Sequence, residues 1–190
     1  MLFIYQILIF TLLMLLPATA AAYGANSDSP SEWSVEQAVE DRISYIVEGK
    51  KERANQFGFH LQSKNCTKNI LWLAWRIPIN DNPGITEKPL ELKFLFDHVR
   101  YLDSMNFMKT SPIPTFELLL ITNIPLKEDF MKDTSKSKSL QITITGPAEV
   151  TKLLDVKTDT FNLKGFKEAK SSAVSKCRRI KAADLGPEVM

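Results

Sequence analysis

Charge is missing from the start of this chain: the first charged residue is Asp28. Before it runs an apolar stretch from Leu2 to Leu16, interrupted only by Gln6 and Thr11. Pro17 follows, then Ala18, Thr19, Ala20, Ala21 and Ala22. An apolar run closed by a helix breaker and small residues is the pattern of a cleavable secretory signal. The sequence predicts a signal peptide over residues 1–20, with cleavage after Ala20 or, as second choice, after Ala22. The rival reading is an uncleaved anchor, but the run is short of the ~20 apolar residues of a spanning helix. No later stretch approaches that length, so no transmembrane segment is expected in the mature chain.

Histidine and cysteine are also scarce, at two each. His60 and His98 have no second histidine at ligand spacing and no HExxH, so no metal site is expected. There is no P-loop and no G-x-G-x-x-G, hence no expected cofactor, and no G-x-S-x-G elbow. The wide separation of Cys66 and Cys177 excludes a CxxC redox motif and speaks against a cysteine-rich zinc site. In an oxidising compartment the two are expected to pair. Closing so long a loop is worth about 4–5 kcal/mol in the chain-entropy picture. The net charge of +2 points to neither an acidic nor a basic partner.

What is present reads as one domain. Hydrophobic residues make up 44% and charged residues 24%, ordinary globular values. Residues 21–33 are small and polar and read as a flexible mature N-terminus, followed by a domain over 34–183 and a frayed tail over 184–190. Ser34 with Gln37 fits a capping box. Val35, Val39, Ile43, Ile46 and Val47 recur at helical spacing. This predicts a helix from Ser34 to about Gly49, with a continuation toward Gln56.

The period then changes. Phe57, Phe59 and Leu61 alternate with polar or small residues, as in a half-buried strand. Ile70 to Ile77 suits a central strand. Asn80 to Gly84 is a turn signal. Leu90, Leu92, Phe94 and Phe96 alternate, with Val99 to Leu102 as a continuation past a bulge. Ser111 to Pro114 breaks the chain before an apolar run over Phe116 to Ile124. Lys127 to Ser139 reads as a solvent loop. Leu140, Ile142 and Ile144 form a strand, Glu149 to Leu154 a short helix, and Thr160 to Leu163 a last strand. Gly165 opens a final helix from Phe166 to about Ile180, with Phe166, Ala169, Ala173, Val174 and Cys177 on one face. The sum is α+β: a mostly antiparallel twisted sheet or partial barrel of five to seven strands, with an N-terminal and a C-terminal helix packed on it.

The segment Thr160 to Cys177, TFNLKGFKEAKSSAVSKC, contains the step Leu163, Lys164, Gly165, Phe166. It resembles the closing strand, Gly-Phe turn and helix of small exported alphaproteobacterial proteins of the invasion-associated locus B family. The resemblance covers this segment alone. It implies a periplasmic or outer-surface accessory protein without known catalysis.

Charge is uneven only at the end. Lys164, Lys167, Lys170, Lys176, Arg178, Arg179 and Lys181 face only Glu168 in the same stretch. They are the expected binding residues for an anionic partner, an envelope protein or an anionic surface. The bland alternative is a solvated face, or complementarity to Glu32, Glu36, Glu40 and Asp41 of the expected first helix. Nucleic acid is not expected, for want of a reader motif. The leading expectation is a non-enzymatic interaction or accessory protein of the cell envelope. One rival is a small envelope hydrolase using His60 or His98, with Asp97 or Asp103 as orienter. Another is a carrier of an apolar ligand between sheet and helix, lined by Phe57, Phe59, Phe94, Phe96 and Phe116. Trp72 and Trp75 point to opposite strand faces and read as packing. Asn65-Cys66-Thr67 matches the glycosylation sequon, but a sugar there is expected to crowd a disulfide at Cys66.

Overall fold

The residues from Ser34 to Glu48 form a hairpin and not the expected helix. In the computed structural model, β1 (Ser34–Val39) pairs antiparallel with β2 (Arg42–Glu48). Ile43, Tyr45 and Val47, two residues apart, are all buried. The apolar residues that mimic a helical stripe are β-branched, and they fit a pleated surface better than a helix interior. The described residues are 32–39, 41–78, 89–97, 99–106, 109–113, 116–122, 126 and 128–184. The expected signal peptide, the flexible mature N-terminus up to residue 31, the Asn80–Gly84 turn, His98 and the tail beyond residue 184 lie outside them.

The remaining elements follow in order: β3 (Gln56–Gln62), β4 (Asn65–Ile77), β5 (Pro89–Phe96), β6 (Arg100–Asn106), β7 (Lys109–Ile113), β8 (Phe116–Thr122), α1 (Glu128–Lys136), β9 (Ser139–Thr145), α2 (Ala148–Thr151), β10 (Thr158–Asn162) and α3 (Phe166–Asp184). A six-stranded sheet runs β1-β2-β3-β4-β8-β7 and a four-stranded sheet β10-β9-β5-β6, with all neighbours antiparallel. The α+β class holds. The expected five to seven strands become ten among the described residues, in two open sheets and not a partial barrel. Three corrections account for the difference. The N-terminal helix is a hairpin. Arg100–Asn106 folds back on β5 as a separate strand, with Leu92 opposite Asp103. The Ser111 region belongs to β7, an edge strand, where prolines are tolerated. The expected loop over Lys127 to Ser139 is a fourth correction, because most of it is helix α1.

The two sheets share one core. Phe57, Phe59 and Leu61 of β3 pack with Tyr45, Leu71, Leu73 and Trp75 on one face of the larger sheet. Leu92, Phe94, Phe96, Leu140, Ile142 and Phe161 come from the smaller sheet. Phe161 touches both Phe57 and Trp75, and an isolated bridge from Gly49 to Phe161 joins the sheets at a corner. The β3 strand is covered on both faces and not half-buried as expected, since Gly58 and His60 are buried too.

The helices close the remaining openings. Phe130 of α1 stands edge-on to Phe94, Phe96 and Tyr101. Phe166, Ala169, Ala173 and Cys177 of α3 are buried, as the helical spacing predicts, and Phe166 meets Tyr45, Phe59 and Trp33. Gly165, at φ +87°, supplies the left-handed turn between β10 and α3. Cys66 at the start of β4 is bonded to Cys177 of α3, with Cα atoms 5.7 Å apart. The expected bridge therefore fastens α3 to the sheet.

Candidate functional site

Helix α3 has two faces with different work. The stripe at Phe166, Ala169, Ala173 and Cys177 is core. Beside it, Lys167, Lys170, Ser171, Val174, Ser175 and Arg178 recur at the same helical spacing and form one wall of a groove. Helix α1 forms the other wall with Glu128, Asp129, Met131, Lys132 and Ser135. The groove holds about 970 Å³, and its apolar lining is the half-buried Met131 and Val174 with the core residue Phe166. Lys132, Lys167, Lys170 and Arg178 have no carboxylate within ion-pair distance among the described residues. Lys132, Lys167 and Arg178 are exposed and Lys170 is half-buried.

The seven expected basic residues therefore divide. Lys167, Lys170 and Arg178 line the groove. Lys176 turns to the other side, where its Nζ donates to the Val35 carbonyl of β1 at 2.6 Å. Lys164, Arg179 and Lys181 are exposed and do not line the groove. The expected complementarity between two terminal helices gives way to packing of α3 on the β1–β2 hairpin, this hydrogen bond included. Lys132, Ser135 and the acidic pair Glu128 and Asp129 were missed, because their segment reads as a loop. A signal was there. Acids in the first turn, Lys136 in the last, and Phe130 four residues before Thr134 satisfy the macrodipole and one buried stripe.

Of the hydrolase residues, His60 and Asp97 are described, and each is engaged with other groups. Ser44 Oγ lies 2.7 Å from His60 Nδ1, but both residues are buried, at 5% and 4% exposure. His60 Nε2 has no partner among the described residues, and Trp72 meets the ring edge-on. Burial, then the charge of Arg42, pushes the His60 pKa down to about 4, so the imidazole is a weak base at neutral pH. Asp97 is engaged elsewhere, accepting from the Lys138 and Ser139 amides and from Ser139 Oγ. His98 and the Asp103 side chain lie outside the described residues.

Four of the five rings expected to line a carrier cavity are buried and belong to the shared core. Phe57, Phe59, Phe94 and Phe96 are at most 2% exposed and pack against other rings. The Phe116 side chain lies outside the described residues. Trp75 is buried and donates to the Val156 carbonyl, whereas Trp72, on the opposite face, is half-buried and donates to Gln56. Asn65 is exposed and Cys66 buried, so strand alternation turns Asn65 away from the disulfide, contrary to the expected crowding. No three His, Cys, Asp or Glu side chains among the described residues are placed to hold a metal. No helix among them is long and apolar enough to cross a membrane.

No family model, curated protein or solved structure matches this chain.

Proposed function

We propose that this is an exported, non-enzymatic interaction or accessory protein of the cell envelope that binds an anionic partner in the groove between α1 and α3. The observation that carries the reading is a set of four cations from two helices that line one groove beside Met131 and Val174 and have no ion-pair partner among the described residues. The Cys66–Cys177 bridge is compatible with an oxidising compartment. The likeness of Thr160–Cys177 to invasion-associated locus B proteins supports an envelope setting.

The test is retention of the full-length protein on polyglutamate and on phosphatidylglycerol vesicles across a salt series. Lys132, Lys167, Lys170 and Arg178 are changed to Gln together. A second variant changes Lys164, Arg179 and Lys181, which share the segment but not the groove. Retention should fall with salt, vanish in the groove variant and survive in the control. Equal loss in both variants would mean a diffuse basic surface, and unchanged binding by the groove variant would overturn the reading.

A further inference from the structure

We infer that the occupant of the α1/α3 groove is an amphipathic helix of a partner protein, about three turns long, acidic along its flank and basic at one end. This rests on the groove being the binding site proposed above.

Three features of the groove favour a helix over a membrane. The half-buried Met131 of α1 and Val174 of α3 line the groove among the charged residues of both helices. A planar bilayer meets the rims of such a groove, whereas a helix laid along it reaches these two side chains with its own apolar stripe. The second feature is length. Lys167 and Arg178 are three helical turns apart, roughly 16 Å along α3. Lys167, Lys170, Val174 and Arg178 repeat at three- and four-residue intervals. A helix lying alongside presents carboxylates at the same intervals.

The third feature is mixed charge. Glu128 and Asp129 stand in the first turn of α1, with Lys132 and Ser135 one and two turns on. Neither acid has an ion-pair partner among the described residues. Two carboxylates weaken the attraction for a uniformly anionic surface, but they suit a partner that carries a Lys or Arg at one end. The hydroxyls of Ser135, Ser171 and Ser175 add adaptable hydrogen-bonding groups, and Met131 adds a side chain that conforms to varied apolar contacts.

The probe is a labelled 18-residue synthetic peptide, helical by composition. It carries Leu at i, i+3, i+4 and i+7 spacing, Glu on the flanks and two Lys at one end. It is titrated into the full-length protein by fluorescence anisotropy, beside a scrambled peptide of the same composition, polyglutamate and phosphatidylglycerol vesicles. The ordered peptide should bind at least tenfold more tightly than the scrambled one. Ser171→Trp, which narrows the groove without changing charge, should weaken the ordered peptide at least tenfold, and unchanged binding would overturn the inference. Should Ser171→Trp fail to fold, Glu128→Lys with Asp129→Lys serves, since both side chains are exposed. That variant should strengthen polyglutamate binding and should favour a version of the ordered peptide with its two Lys changed to Gln over the original, reversing the order seen with the parent protein.

Equal binding of ordered and scrambled peptides would overturn the helix and leave an anionic partner standing. Vesicle binding without peptide binding would overturn it in favour of a membrane surface. If no probe binds, both this inference and the proposed function fall.

Discussion

Asn55 and Asp159, 104 residues apart in the chain, are joined by a buried hydrogen bond of 2.9 Å from Asn55 Nδ2 to the Asp159 carboxylate. The same carboxylate accepts from the backbone amides of Lys51, Glu52 and Thr160. Both residues are fully buried. Asn55 Oδ1 in turn accepts from the Arg76 amide of β4. The loop after β2 is thereby fixed to β10 and β4 through one acid and one amide. Gly49 permits this approach, because a Cβ there would lie 2.3 Å from the Asp159 carboxylate.

Replacing Asp159 by Ala should therefore destabilise the fold by about 3 kcal/mol or more, since buried donors left unmet each cost roughly 1–3 kcal/mol. Asp159→Asn should lose nearly as much, because an amide turns N–H groups toward existing donors. Urea unfolding reads this as a lowered midpoint at unchanged slope. A midpoint equal to that of the parent would refute the assigned role.

The disulfide gives a second prediction. Cys66 and Cys177 are separated by 111 residues, and the chain-entropy picture assigns such a crosslink about 4–5 kcal/mol. Reduction, or Cys66→Ser with Cys177→Ser, should lower the melting temperature by well over 5 °C. It should also weaken binding at the groove, because α3 is fastened to β4 there. Thermal melts and anisotropy with and without reductant measure both effects on one sample.

His60 predicts a dependence on pH. Burial and Arg42 depress its pKa from 6.5 to about 4. Above pH 6.5 the ring is neutral in the folded and the unfolded chain. As pH falls below 6.5 the unfolded chain binds the proton first, so stability declines until about pH 4, where the folded ring also protonates. The loss over that window is about 3 kcal/mol. His60→Gln should flatten the profile between pH 6.5 and 4, whatever its effect on stability at pH 7. An unchanged slope in that window would assign the acid sensitivity to other groups.

Much of this architecture was legible because each element had one dominant period. Leu140, Ile142 and Ile144 alternate and are all buried, and Phe166, Ala169, Ala173 and Cys177 repeat as a helix and are all buried. Residues 34–49 read as a helix because Val35, Val39, Ile43 and Ile46 satisfy a helical stripe by coincidence. The deciding contacts, Tyr45 on Phe59 and Phe166, are long-range. Helix α1 was missed because it buries only Phe130 and Thr134, too thin a stripe to register. The candidate site was half visible for the same reason. Its α3 wall announced itself as a run of cations, whereas its α1 wall sat in a segment whose polarity reads as loop.

Lys170 and Lys176 provide the sharpest separation of site from scaffold. Both belong to the same cationic run, and composition treats them alike. The fold does not. Lys170 lines the groove without an ion-pair partner among the described residues, while Lys176 donates to the Val35 carbonyl and so holds edge strand β1 against α3. Lys170→Gln should leave the urea midpoint within error and weaken polyglutamate binding several-fold. Lys176→Met should do the reverse, lowering stability by about 1 kcal/mol through the lost charge-assisted hydrogen bond while binding stays within twofold. Hydrogen exchange at the β1 amides should rise in Lys176→Met alone, because an edge strand frays more readily when one of its ties to the neighbouring helix is cut. If both substitutions weaken binding equally and neither alters exchange in β1, the cations act as one diffuse field and the division between groove and scaffold fails.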